Sequence, residues 1–267
     1  MLLEALEHLL TPCPRRWRRL GYLREQIAID ARLARNRDAW GPHLLSCRTQ
    51  IMKAAQTGGG AVLILGAGLH HDLPLSELAN IFGCVHLCDL VHRPLARWCA
   101  RRLTRGHVRF HEQDASGLLD QVHNNTASLQ MQPLAELAAR GVTGLPAGMT
   151  DEPELVVSAN LASQLMLLPL EWIERVRPVA PDEARTLQSL AFRAHVAWLR
   201  VRTGRKVLIT ETALIKRSVD GDLIETTPTP GVEFLPEPSA RWTWNIAPIP
   251  ELNRHQHVEH AMGAWLL

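Results

Sequence analysis

The sequence predicts an α/β fold: a mostly parallel sheet, an antiparallel strand or hairpin towards the C-terminus, and a cap of helices at the N-terminus. Three observations support this prediction. Residues 61–89 follow the order strand, glycine turn, helix, strand. Two further strand-like segments, at 107–111 and 154–159, come after helical segments, as in parallel strands joined by helices. Asp220 and Gly221 separate two alternating runs, which is a strong hairpin signal.

The segment 61–89 also predicts a nucleotide site. Residues 61–65 are a short apolar run after three glycines, typical of a buried parallel strand. Gly66 and Gly68 let the backbone turn sharply and approach a ligand closely, because they carry no Cβ. Asp89 ends the second strand about 20 residues after the turn, where a carboxylate can accept both hydroxyls of a ribose. The alternative is a βαβ unit without a nucleotide, in which Asp89 is incidental.

Length and composition narrow the class of protein. The chain has 267 residues, enough for one large or two small domains with a substantial core. No apolar run reaches the ~18 residues of a membrane helix, and acidic residues among the first leucines argue against a cleavable signal peptide. The five cysteines form no CxxC pair, so we expect a reducing, cytoplasmic compartment and no membrane contact. A net charge of +2 does not mark the whole molecule as a polyanion binder.

The N-terminal part is expected to be helical. Residues 1–57 are predicted to form a helical cap, and residues 58–267 one compact domain. The predicted cap helices lie at 2–10, about 20–38 and 44–55, with a break at 40–43. The arginine cluster at 15–19 could hold a phosphate backbone or an anionic substrate, or it could be a solvated face.

Further elements follow along the rest of the chain. The predicted helices lie at 94–103, 134–140 (inside a variable loop at 124–150), 161–168, 182–203 and 251–267. The predicted late strands lie at 207–210 and 241–246. Asp114 and Asn160 each come directly after a predicted strand, at the edge of the sheet where open α/β folds bind their ligands.

These motifs together resemble class I S-adenosylmethionine-dependent methyltransferases, which have a Rossmann-like fold, over residues 61 to about 246. Residues 62–68 stand at the family's glycine-rich first motif, Asp89 at the acidic end of its second strand, residues 113–115 at its third motif and residues 158–160 at its fourth. The late hairpin and reversed last strand also fit this family, whereas nicotinamide-dependent enzymes usually lack them. The motifs identify no subfamily.

The resemblance implies S-adenosylmethionine as cofactor. Gly66 and Gly68 would pass close to its methionine part, Asp89 would hold the ribose hydroxyls, and Asp114 or its neighbour's amide would contact the adenine edge. The residues expected at the cofactor are Leu65, Gly66, Ala67, Gly68, Asp89, Leu90, Asp114, Ala115 and Asn160.

The chain departs from the family pattern at two positions. Apolar Leu63 and Leu65 stand where many members carry a carboxylate. The fourth motif reads Ser-Ala-Asn-Leu and not the Asn-Pro-Pro-Tyr type used on exocyclic amines, which disfavours methylation of amino-nucleobases.

Methyl transfer from a sulfonium requires few acids or bases, because the donor is already activated and alignment contributes most. Asn160 is a candidate to orient the acceptor, or it could simply cap the next helix. His71, beside His70 in the turn, is a candidate base or stacking group, or a surface residue. His43 is a candidate if the cap brings it to the mouth of the pocket.

The histidines near the C-terminus do not predict a metal site. His255, His257 and His260 lie close together with Glu259, but helical spacing would leave His255 off the shared face and no recognised ligand spacing is present. We therefore expect no metal.

The predicted function is methyl transfer to an unidentified acceptor, with a small molecule favoured and RNA possible. One rival is an NAD(P)-dependent oxidoreductase, which would prefer a third glycine where His71 stands. A second rival is a non-catalytic interaction module, which predicts a pocket blocked by His70 or His71. The sequence does not predict an oligomeric state.

Overall fold

The computed structural model of the chain describes residues 2–56, 58–125 and 130–267. Within these residues the helices are α1 (Leu2–Leu10), α2 (Arg15–Leu20), α3 (Tyr22–Arg35), α4 (Arg37–Ala54), α5 (Leu75–Ile81), α6 (Pro94–Leu103), α7 (Leu119–Asn125), α8 (Met131–Arg140), α9 (Leu167–Glu174) and α10 (Pro181–Arg200). The strands are β1 (Ala61–Leu65), β2 (Cys84–Asp89), β3 (Val108–Glu112), β4 (Leu155–Ala159), β5 (Arg205–Ser218), β6 (Leu223–Pro228), β7 (Ala240–Ala247) and β8 (Gln256–Leu266).

One sheet runs through the molecule in the order β3-β2-β1-β4-β5-β8-β7, and β6 pairs with β5. The strands β1 to β5 are parallel, whereas β8 is antiparallel to both of its neighbours, β5 and β7. The predicted fold class is confirmed: the sheet is mostly parallel, and its C-terminal part contains a hairpin and reversed strands. The bounds predicted for β1, β2 and α6 agree with the structure.

Apolar residues on both faces of the parallel strands explain why β1 reads as a continuous apolar run. Val62 and Ile64 belong to the core on the side of α4 and α5. Leu63 and Leu65 belong to the core on the other side, together with Phe192 of α10. Helices on both faces bury the strand completely, which is typical of a parallel sheet.

The N-terminal helices pack against two different parts of the molecule. Cys47 and Ile51 of α4 pack in the same core as β1, so α4 is a layer of the sheet domain. Leu23 and Ile27 of α3 pack instead against Leu90, in the loop after β2. Thr57, where the cap was predicted to end, lies outside the described residues, and the division into a cap and a domain stays a prediction.

The predicted C-terminal helix at 251–267 is wrong, because residues 256–266 form β8. Two neighbouring strands offer hydrogen-bond partners along nearly the whole segment, and this pairing outweighs its helix-like pattern. Because this segment is a strand, the argument from helical spacing about His257 and His260 does not apply. His260 lies 2.9 Å from Glu211 and His257 lies 3.6 Å from Glu259.

Two predicted helix boundaries next to prolines are wrong. The break predicted at 40–43 lies at Asn36, and Pro42 sits inside α4. The helix predicted at 161–168 is a short 3₁₀ turn, Ala162–Gln164, followed by α9. Pro169 is the third residue of α9, where a missing N–H breaks no helical hydrogen bond, so this proline begins a helix and does not end one.

Candidate functional site

A cavity of about 320 Å³ opens at the carboxyl ends of β1, β2 and β4. Its floor comes from the loops that follow these strands, and α3, α4 and α9 close it from the other side. We distinguish two sides. The turn side consists of residues 66–68, Asp89 and residues 113–115; the Asn160 side consists of Asn160, Asp72, His43 and Trp244.

The glycine turn has a left-handed backbone at Gly66 (φ 73°) and at Gly68 (φ 49°). A Cβ on Gly66 would come within 2.7 Å of the Ala159 carbonyl oxygen and 2.8 Å of Leu161 Cβ. The packing of the loop after β4 therefore requires a glycine at position 66, whether or not a ligand is bound. A Cβ on Gly68 would meet the Asp89 carboxylate only at 4.0 Å, so at Gly68 the backbone conformation is the constraint.

Asp89 holds the turn in place through backbone amides. Its Oδ2 accepts a hydrogen bond from the Gly68 N–H at 2.7 Å, and its Oδ1 accepts one from the Leu90 N–H at 2.7 Å. Gln26 of α3 donates to the Val91 carbonyl at 2.8 Å and lies 3.5 Å from Asp89 Oδ1. The carboxylate is thus fixed at the wall of the cavity, with lone pairs left to accept from a ligand.

Asp114 accepts hydrogen bonds from residues of its own loop. Its Oδ1 accepts from the Ser116 N–H at 2.7 Å and from Ser116 Oγ at 2.6 Å, and its Oδ2 accepts from the Leu119 N–H at 2.9 Å, at the start of α7. These bonds orient the loop after β3, so that Asp114 and Ala115 line the cavity. Tyr22 of α3 closes this region; burial, with the nearby charges of Asp114 and Asp89, raises the pKa of its hydroxyl.

Asn160 has a left-handed backbone, with φ 50°. Its Nδ2 donates to Asp72 Oδ2 at 2.8 Å and lies 3.5 Å from His43 Nε2. The alternative that Asn160 caps the following helix is wrong, because no side-chain cap precedes the turn at Ala162–Gln164. The side chain instead joins Asp72 to the cavity wall.

His43 is held as a neutral acceptor. Its ring stacks on Trp244 with centroids 4.0 Å apart, and its Nδ1 accepts a hydrogen bond from Trp242 Nε1–H at 3.0 Å. Burial, with a smaller contribution from His260, lowers the pKa of His43 to about 3. Because Nδ1 accepts, the proton of the neutral ring is on Nε2, which points towards Asn160.

Burial also shifts the pKa values of two other groups here, in the direction that favours the uncharged form. It raises the pKa of Asp72, and the hydrogen bond from Asn160 opposes this shift. It also raises the pKa of the Cys47 thiol, whose Sγ lies 3.7 Å from Asn160 Nδ2. The Asn160 side is therefore a weakly charged polar wall.

The two histidines of the turn point in different directions. His71 lines the cavity, but its Nε2 lies 3.2 Å from Asp30 Oδ1 of α3. His70 is buried outside the cavity lining, with a left-handed backbone (φ 66°), and burial lowers its pKa to about 4. Neither side chain fills the cavity, whereas the non-catalytic rival predicts a pocket blocked by one of them.

The structure brings most of the predicted site residues together around one cavity. Those that line it are Gly66, Ala67, Gly68, Asp89, Leu90, Asp114, Ala115, Asn160, His71 and His43. Leu65 does not line it and packs in the core beneath the sheet.

Sequence reasoning named His43 of α4 as a candidate but missed the other lining residues of α3, α4 and α9. Tyr22, Gln26 and Trp40 line the cavity from the N-terminal helices, and Glu171 lines it from α9. A helical pattern does not say which loop a helix covers. The one usable signal was the pairing of polar Gln26 with apolar Leu23 and Ile27 on neighbouring positions of α3.

Among the described residues, no group of three or more His, Cys, Asp or Glu side chains is placed to hold a metal ion. In the same part of the chain, no helix is both long and apolar enough to cross a membrane.

No protein-family model matches the chain, and no curated protein matches it either. The strand order β3-β2-β1-β4-β5, with these strands parallel, makes the fold Rossmann-like. Several solved structures are similar to the chain. A DhpI-SAH complex is 14% identical over 88% of this chain and 93% of its own, with a TM-score of 0.38. A magnesium protoporphyrin IX methyltransferase from Synechocystis PCC 6803 with bound SAH is 12% identical over 93% of each chain, also with a TM-score of 0.38.

A third similar structure is a SAM-dependent methyltransferase from Aquifex aeolicus, 13% identical over 80% of this chain and 88% of its own, with a TM-score of 0.34.

Proposed function

We propose that this chain is an S-adenosylmethionine-dependent methyltransferase that holds the methyl donor on the turn side of the cavity and the acceptor on the Asn160 side. The observation that carries the proposal is the alignment of Gly66–Gly68, Asp89, Asp114 and Asn160, each at the carboxyl end of a different strand, around one cavity. Ligands of open α/β sheets bind at this edge.

Two lining residues have the atoms that such a ligand requires. Gln26 Oε1 and Asn160 Oδ1 are buried without a hydrogen-bond partner among the described residues. An unpartnered buried acceptor costs about 1–3 kcal/mol, so both oxygens favour a ligand that donates hydrogen bonds. Gln26 lies beside Asp89, where the resemblance places ribose hydroxyls, and Asn160 lies where it places the acceptor.

The residues themselves would bind, orient and exclude water. Asp89 and Gln26 would hold the ribose, and the glycine turn would lie along the methionine part. S-adenosylmethionine supplies an activated methyl group on a sulfonium, so alignment with the acceptor contributes most of the rate. Asn160, fixed by Asp72, would accept a hydrogen bond from an acceptor hydroxyl or amine through Oδ1. Tyr22 and Trp40 would shield the reaction from water.

The acceptor we favour is a small molecule, because helices α3, α4 and α9 enclose the Asn160 side. A nicotinamide-dependent oxidoreductase is not favoured. His71 occupies the position of the third glycine of that fingerprint, and its ring is bound to Asp30 of α3. The five cysteines are all free, which supports a reducing, cytoplasmic compartment for the enzyme.

The test is calorimetric titration of the purified chain with S-adenosylhomocysteine, with NADH as the control ligand. We expect saturable binding of S-adenosylhomocysteine and none of NADH. Absence of S-adenosylhomocysteine binding at millimolar concentration would overturn the proposal, and binding of NADH alone would support the oxidoreductase.

A further inference from the structure

A basic and aromatic surface lies on α6, away from the lining of the cavity. Six arginines and no carboxylate occur between Asp89 and Glu112. We call the outward face of α6 and the turn after it the α6 surface, and define it by Arg97, Trp98, Arg101, Arg102 and Arg105. Trp98 is 54% exposed, although a large aromatic side chain is costly to leave in water.

Most of the charge on the α6 surface is unpaired. Arg97 pairs with Glu112 at 3.0 Å. Arg101, Arg102 and Arg105 are exposed and have no carboxylate partner within the described residues. The Arg102 guanidinium lies 5.1 Å from the Trp98 ring centroid, so it lies over the indole. Cations and an exposed ring are thus held next to each other.

The arrangement of these side chains distinguishes between two kinds of anionic partner. At about 100° per residue, Arg101 and Arg102 lie about 60° and 40° to either side of Trp98 on the helix. An interfacial membrane helix separates its apolar face from its cationic face. Here the ring and the cations share one face. This mixture suits a flexible polyanion whose bases can stack, because phosphates then meet guanidinium groups while a base meets the indole.

We propose that the α6 surface binds single-stranded nucleic acid through phosphate contacts from Arg101, Arg102 and Arg105 and stacking on Trp98. The proposal goes beyond methyl transfer and does not depend on it, since the α6 surface shares no residue with the cavity lining. Its test therefore needs neither the methyl donor nor the acceptor.

The experiment is fluorescence anisotropy of a labelled 15-nucleotide oligoadenylate RNA with the full chain. Three phosphate contacts predict a salt slope of about −2, so raising salt from 50 to 200 mM should weaken binding by roughly 15-fold. Arg101→Gln/Arg102→Gln/Arg105→Gln should lose at least about tenfold in affinity at 50 mM salt and most of the salt dependence. Trp98→Ala should weaken binding between about 5- and 150-fold.

A matched control comes from α10. Arg185, Arg193 and Arg200 are exposed on that helix, and the Arg193 guanidinium lies 4.2 Å from the Phe234 ring centroid. Arg185→Gln/Arg193→Gln/Arg200→Gln removes the same charge from another face. We expect this variant to bind the RNA within about twofold of the parent, and thermal melting should show both triple variants folded.

Three outcomes would overturn the proposal. The first is undetectable binding of the RNA at 50 mM salt. The second is equal weakening by both triple variants, which would indicate a response to net charge alone. The third is tight binding to phosphatidylcholine vesicles containing phosphatidylglycerol that is abolished by Trp98→Ala while RNA binding is unchanged, which would assign the α6 surface to a membrane.

Discussion

The turn side and the Asn160 side of the cavity are built in different ways. On the turn side, the carboxylates of Asp89 and Asp114 accept hydrogen bonds chiefly from backbone amides, none of them more than 21 residues away in the chain. On the Asn160 side, the contacts join side chains that are far apart in sequence, such as Asn160 with Asp72 and His43 with Trp242.

This difference has a physical consequence. Backbone amides of a tight turn are fixed by the turn itself, so the turn side depends less on side-chain contacts between distant segments than the Asn160 side does. The Asn160 side exists only when α4, β4 and β7 are packed together. Mutations on the turn side should therefore change ligand affinity, and mutations on the Asn160 side should change stability first.

The largest effect is expected for Asp89→Ala. The substitution removes the proposed acceptor of the ribose hydroxyls and leaves the Gly68 and Leu90 amides without their partner. Affinity for S-adenosylhomocysteine should fall by about 2 kcal/mol, roughly 30-fold, as measured by calorimetry.

Glu112→Ala is the matched control for Asp89→Ala. Glu112 lies beside Asp89 in the register of β2 and β3, but its side chain is exposed and pairs with Arg97. Removing the Glu112 side chain should change the affinity for S-adenosylhomocysteine by less than about 0.5 kcal/mol. Equal effects of the two substitutions would contradict a specific role for Asp89.

A smaller effect, and on stability, is expected for His43→Leu. The half-buried Nε1–H of Trp242 loses its acceptor and Trp244 loses its stacked neighbour. The free energy of unfolding in urea should fall by about 1.5 kcal/mol, whereas affinity for S-adenosylhomocysteine should change less than about threefold. Adding Trp242→Phe removes the orphaned donor and should recover part of the loss; a double variant with fully additive losses would rule out the hydrogen bond as the cause.

The difference between local contacts on the turn side and long-range contacts on the Asn160 side also explains what the sequence could predict. Gly66, Asp89 and Asp114 sit at strand ends within a local βαβ pattern, and local patterns are visible in a sequence. The parallel strands were predicted for the same reason, since β1 is apolar on both faces.

Contacts between distant segments were not visible in this way. Residues 241–246 were predicted as a strand, but nothing in the spacing of Trp242 and Trp244 points to His43, about 200 residues earlier in the chain. The segment 256–266 was predicted as a helix because its two strand partners, β5 and β7, are recognisable only in the folded sheet. Asp72 follows the glycine turn in the sequence, and its bond to Asn160 depends on β1 and β4 being neighbours.

The smallest expected effect, and opposite in sign, is that of Asp72→Asn. Burial raises the pKa of Asp72 in the folded protein, so the folded state binds its proton more readily than the unfolded chain does. Stability should therefore fall as the pH rises from about 4 and stay lower above the folded-state pKa. Asparagine keeps an oxygen that accepts from Asn160 but carries no charge to bury. At pH 7 the variant should melt roughly 2–4 °C above the parent, the shift that about 1 kcal/mol produces in a domain of this size. Near about pH 3 the two proteins should melt together, because Asp72 is then largely protonated in both states. If Asp72→Asn melts below the parent at pH 7, the charge on Asp72 stabilises the Asn160 side through its bond to Asn160, and that side is then held by a charged contact just as the turn side is.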